Sequence, residues 1–181
     1  METVVDPLKE KALKTRFPVS VLMEQQERQH GQWRYTAWEV TGIVAGSEVA
    51  DAEAGRRLVH ADETTRQYLF SGYWLELHKD AAHSYWDNLL GRTPSLFVIC
   101  REAEDGELIP YAVTADHDEA AAHMESDDSV FSVPIPPELY HWVERFVVAF
   151  HKPTEQRKRK RKNWTEESPG GQTPENPGTL H

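Results

Sequence analysis

Between Phe17 and Glu24 the chain alternates, with Val19, Val21 and Met23 on one side and Pro18, Ser20 and Leu22 on the other. A period of two marks a strand with one buried face, and a proline near its start suits an edge or first position. Gln25–Gln32 is polar throughout and reads as a loop. From Arg34 to Gly46 alternation resumes, with Thr36, Trp38, Val40 and Gly42 set against Tyr35, Ala37, Glu39 and Thr41; Gly42 hints at a bulge. The Ala-rich acidic stretch 47–57 reads as a surface excursion. Segments 56–62 and 65–80 are two more strand candidates. In the second, Tyr73, Leu75 and Leu77 share a face opposite Trp74, Glu76 and His78.

The period then changes to that of a helix over 81–91, where Tyr85, Trp86, Leu89 and Leu90 form a stripe, Asp80 is placed to cap and Gly91 to close. Segment 94–116 holds two apolar runs around Asp105-Gly106, a dipeptide that favours a tight type I′ hairpin turn. Asp116 and Glu119 form a capping box for a short helix ending at Met124. A last strand covers 130–136. Pro136 and Pro137 then preset a helix whose Leu139, Trp142, Val143, Phe146, Val147 and Phe150 recur at helical spacing, and Pro153 ends it. The sum is an α+β fold, mostly antiparallel sheet of about six to seven strands with three helices. The expected organisation is a lead-in over 1–15, one domain over 16–152, and a basic then polar disordered tail over 153–181.

Charge divides the chain in the same way. The formal net charge is −10, yet residues 152–181 hold seven Lys/Arg against four acids, so the remainder carries −13. An acidic body argues against the domain gripping nucleic acid through its own face. The cationic feature is the unbroken run Arg157, Lys158, Arg159, Lys160, Arg161 and Lys162, read as a solvated tail, as a segment docking onto an acidic protein surface, or as a nucleic-acid-binding or nuclear-import stretch. With one cysteine, Cys100, inside an apolar run, the chain has no intrachain disulfide and no multi-thiolate metal cluster, and the thiol is expected buried and inert. The first residues lack the apolar stretch of a secretion signal, and no run approaches the ~20 apolar residues of a membrane span, which gives a cytoplasmic expectation.

The residues point to no reaction. Nine histidines are scattered without the i, i+4 spacing of a helical zinc site, no Gly-x-Ser-x-Gly elbow is present, and Gly42 and Gly46 lack phosphate-loop spacing. No catalytic residue, metal ligand or cofactor is assigned, and whether the protein is an enzyme is left open, with the balance towards none. Trp33 and Trp38, beside the polar loop, read as sheet-face aromatics or as an aromatic ligand-binding patch.

Several stretches together carry a family resemblance: FPVSVLME, the W…W-E-V-x-G-I-V-A-G strand, YLFSGYWLELHKDAAHSYWDNL, and VPIPPE followed by an apolar helix and the Arg/Lys run. Over residues 17–162 the chain resembles the bacterial family called domain of unknown function 3305. The matching positions include Trp33, Trp38, Tyr73, Leu75, Pro134, Pro136, Pro137, Trp142 and Phe146. The resemblance implies a genetic setting beside formate dehydrogenase subunits. It therefore implies a non-catalytic accessory or assembly protein for a molybdenum or tungsten formate dehydrogenase, with a dehydrogenase subunit as protein partner. A small-ligand or cofactor-binding module is the alternative.

Overall fold

The computed structural model describes residues 13–153. Its strands are β1 (Arg16–His30), β2 (Trp33–Ala45), β3 (Gly55–Ala61), β4 (Thr65–Glu76), β5 (Ser95–Glu102), β6 (Leu108–Thr114) and β7 (Ser129–Pro134). Its helices are the single turn α1 (Ser47–Ala50), then α2 (Ala82–Leu90), α3 (His117–Met124) and α4 (Pro137–Phe150). The expected α+β architecture, with seven strands and three helices of more than one turn, is what the chain forms.

The strands make one sheet in the order β2-β1-β4-β6-β5-β7, with β3 added to β4. Every pairing is antiparallel except β4 with β6, which share the single parallel pair Leu75 and Val113. Tyr73 reinforces that seam, its hydroxyl donating to the Pro110 carbonyl at 2.8 Å. The two ends of the order, β2 and β7, lie against each other, so the sheet curls into a nearly closed barrel. Its inner face carries the alternating residues read from sequence: Val19, Val21, Met23 and Leu75, joined by Val98 and Val113.

Helix α4 packs its apolar stripe onto that core and leaves its other face in water. Leu139, Trp142, Val143, Phe146 and Val147 are all buried on one stripe, because 3.6-residue periodicity stacks them on one side. Phe146 meets Tyr85 of α2 edge-on at 6.0 Å, and Trp142 tilts against Phe17 of β1 at 5.3 Å. The indole N–H of Trp142 donates to the Lys14 carbonyl at 2.7 Å, so the last helix holds the entry to the first strand. Helix α4 stops at Phe150, with His151 already extended, ahead of Pro153.

Three local expectations need correction. Residues 25–30 are not loop: β1 runs to His30 and turns through Gly31, at φ 60°, directly into β2. Gln25 and Gln26 still lie between β2 and β4 but are polar, and from Arg28 the strand lies in a two-stranded ribbon solvated on both faces, so the sequence has no apolar alternation to show. Asp80 does not cap α2; it sits in a 3-10 turn over Lys79–Ala81, and Ala81 holds the cap position without a side-chain bond. Asp105-Gly106 is not a two-residue turn either. Beyond the Glu102–Leu108 pair the Ala103 N–H still donates to the Glu107 carbonyl at 2.8 Å, leaving a three-residue loop, 104–106, with Gly106 at φ 82°. The capping role of Asp116 does hold, its carboxylate accepting from the backbone N–H groups of Asp118 and Glu119.

Candidate functional site

Beyond the Gln26–Thr65 pair, β4 ends while β1 and β2 continue together. The Glu27 N–H donates to the Thr64 carbonyl at 2.9 Å, and from Arg28 to Tyr35 the sheet pairing is β1 with β2 alone. Three residues per strand at ~3.3 Å each make an arm projecting about 10 Å before the turn. Residues directly opposite in an antiparallel pair point to the same face, so the pairs His30–Trp33 and Arg28–Tyr35 place two aromatic rings and two basic side chains on one side. Trp33 is 80% exposed and Tyr35 49% exposed. Trp normally loses most of its surface on folding, so an indole left in water at a ribbon tip is the arm's distinguishing feature.

Trp38 lies elsewhere. It is an odd number of residues from Trp33, so the pleat turns it to the inner face. There it packs at 5.9 Å against Tyr68, which in turn meets Phe70 at 6.5 Å. Trp38, Tyr68, Gln25 and Thr36 line a cavity of about 220 Å³ at the barrel mouth, closed by the 105–107 loop. Arg56 crosses this mouth, its guanidinium over the Tyr68 ring at 4.9 Å and paired with Glu107. The structure therefore does not bring Trp33 and Trp38 together: one caps a projecting arm and the other lines an interior. The basic run Arg157–Lys162 lies outside the described residues.

Other polar clusters serve the fold. Ser84 donates to the Asp116 carboxylate at 2.6 Å and accepts the His117 backbone N–H at 3.1 Å. Asn88 bonds Ser95 through both backbone groups and reaches the Ala115 carbonyl at 2.9 Å, clamping α2 to the sheet. Asp128 accepts from Arg101 at 3.0 Å and pairs with His123 at 2.7 Å, while Arg101 lies 3.5 Å above the Tyr111 ring. The Arg101 and His123 hydrogen bonds hold the Asp128 carboxyl below its ordinary range. Its contribution to stability is thus present above the ordinary aspartate range and lost as pH falls through the lowered value.

At the end of α4, His151 Nε2 lies 3.1 Å from His83 Nδ1, their ring planes within 11° of each other. His151 also lies along Trp86, with centroids 5.2 Å apart, and His83 Nε2 is 3.4 Å from Asp87. Among the described residues no group of three or more His, Cys, Asp or Glu side chains is arranged to hold a metal ion. No helix among them is long and apolar enough to cross a membrane.

Cys100 is fully buried in β5, and desolvation of the charged form pushes its thiol up to about 12. Only the thiolate attacks disulfides and alkylating agents. Native protein at pH 8 is expected to show no labelling by an aromatic disulfide reagent over an hour, and one equivalent at once in denaturant. Rapid native labelling would place Cys100 outside the core.

A nearly closed sheet packed against helices, with an aromatic ribbon standing out from it, defines an α+β domain. The family described as "Protein of unknown function (DUF3305)" matches residues 18–161, a span that takes in nearly all of β1, every later strand and helix, and Arg157 to Arg161 of the basic run. The chain belongs to that family. No curated protein and no solved structure matches it.

Proposed function

We propose that this chain is a non-catalytic accessory protein that holds a protein partner through the β1–β2 arm and the Arg157–Lys162 run. The arm carries the reading, because Trp33 and Tyr35 keep large apolar area in water beside Arg28 and His30. Trp, Tyr and Arg are the side chains that dominate binding energy when a partner covers them. The proposed partner is a subunit of a molybdenum- or tungsten-dependent formate dehydrogenase in the cytoplasm, a choice motivated by the family resemblance. A basic segment following an acidic body adds long-range attraction towards an acidic partner surface.

The test is capture from the native host by three baits: the intact chain, Trp33→Ser with Tyr35→Ser, and Arg157–Lys162 replaced by Ser and Gly. The intact bait is expected to recover dehydrogenase subunits. Loss of a hot spot of about 2 kcal/mol per aromatic weakens capture by at least roughly thirtyfold in the arm variant, at unchanged melting temperature. The tail variant is expected to lose recovery mainly as salt is raised. Undiminished recovery by the arm variant would remove the arm from the interface. A host lacking this protein whose dehydrogenase kept full metal-cofactor content and activity would overturn the accessory role.

A second reading rests on Trp38. The mouth cavity it shares with Tyr68 would take a small planar ligand, displacing the Arg56 guanidinium from the Tyr68 face.

A further inference from the structure

The crossover from β2 to β3 folds back over the outer face of the sheet and borders an open cleft of about 620 Å³. Its floor is set by strand register. Val44 of β2 stands opposite Ser20 of β1, and Leu69 of β4 opposite Arg57 of β3. Between them β1 and β4 slip by one residue, from Val19–Tyr73 to Val21–Phe70, so Ser71 and Gly72 share the place facing Ser20. Such a bulge re-aims side chains. Here it puts two hydroxyls together, Ser20 donating to Ser71 at 3.0 Å, although Ser20 is fully buried on a face that is otherwise outside the core.

The roof is fastened at the same bulge. Gly72 has φ 96°, and a Cβ there would come within 2.6 Å of the Ala54 Cβ, so the crossover touches the strand with no room between. Val49 of α1 is buried yet stands apart from the main core; it lines the cleft instead.

Charge completes the site. Arg56 and Arg57 point to opposite faces of β3. Arg56 is taken by Glu107 and Tyr68, whereas among the described residues Arg57 has no ion-pair partner. Asp51 and Glu53 line the cleft from the crossover side, and they too form no ion pair among those residues. The cleft thus presents a cation from the sheet, carboxylates from the roof, an apolar wall of Val44, Val49 and Leu69, and hydroxyls on the floor.

The geometry points to a binding site for a small zwitterion of the α-amino-acid type with a short aliphatic side chain. Its carboxylate meets the Arg57 guanidinium, whose planar fork matches two oxygens. Its ammonium meets Asp51 and Glu53, and its side chain lies on the valines and Leu69. The hydroxyl hydrogen of Ser71, not used in the bond from Ser20, remains for a further acceptor. The site is independent of the partner-binding reading, since the arm tip lies at the far end of the same two strands.

The full chain, labelled for amide NMR, would be titrated with norvaline, valerate and pentylamine. These carry both charges, the carboxylate alone and the ammonium alone. Norvaline is expected to move the signals of Ser20, Ser71, Arg57 and 52–55, saturating in the millimolar range for so few atoms. Valerate and pentylamine should bind about tenfold or more weakly, and Arg57→Gln should weaken norvaline by about tenfold with its melting temperature unchanged. Absence of localised shifts with norvaline, an equal response to either single-charge probe, or indifference to Arg57→Gln would each overturn the site. Because capture of a dehydrogenase is read separately, failure here leaves the arm untouched.

Discussion

Phe146→Ala should lower the unfolding free energy by about 3–5 kcal/mol, the range for truncating a fully buried aromatic. The ring has no exposed surface, and it sits between Tyr85 and Phe150, whose centroid is 4.7 Å away. Helix and sheet meet around it, so the void could collapse only by moving α4 against both. Domains of this size are stable by about 5–15 kcal/mol, so the variant would sit close to its unfolding threshold. Val148 on the same helix is 78% exposed, and Val148→Ala should stay within about 0.5 kcal/mol. Chemical denaturation of both variants checks this. A Phe146→Ala loss no larger than that of Val148→Ala would mean that the α4 stripe is not packed into the core.

Gly72→Ala should be the costliest conservative change in the sheet. A residue with a Cβ held at φ 96° carries about 1–3 kcal/mol of backbone strain. The new methyl would also meet the Ala54 Cα at 2.9 Å, so the crossover must lift. Gly42→Ala is the matched control. That glycine also lies beside a bulge, but its φ is not left-handed and a Cβ there meets nothing within 4 Å. The expected result is a clear fall in melting temperature for Gly72→Ala, with changed NMR signals across 49–55, and little change for Gly42→Ala. Equal effects would show that close approach at Gly72 does not fasten the roof.

What the sequence revealed and concealed follows from where its residues meet water. Val19, Val21 and Met23 against Ser20 and Leu22 revealed β1 because one face is core. The same strand disappeared from view after Glu24, where Gln25 and Gln26 are polar at the half-buried mouth and, from Glu27, both faces are exposed so that polar residues serve equally well on each. The α4 stripe was legible in full, since one face of a single helix packs on the core and the other stays in water. The excursion at 47–57 was legible as surface, but not as a roof running into β3 at Gly55, because ahead of that strand Val49 and Ala54 supply the apolar contacts and they make no periodic pattern. For Trp33 and Trp38 the information was present: five residues apart on one strand, they fall on opposite faces. The Ser20–Ser71 pair was beyond reach, since it depends on a slip between strands 51 positions apart. So was the one-rung seam between β4 and β6, because a single pair leaves no trace in hydrophobic period.

That seam has a consequence for how the chain is made. Residues 16–76 pair only among themselves apart from one rung to β6, and so do residues 95–134, so each half can assemble its hydrogen bonds soon after leaving the ribosome. Neither half brings its own cover: the apolar stripe of α4 comes last, and Trp142 must reach back to Lys14. Both nascent sheets therefore wait, hydrogen-bonded but greasy on one face, until the final helix emerges. Premature stops upstream of Leu139 would release well-paired strands with nothing to cover them, the species most prone to aggregate.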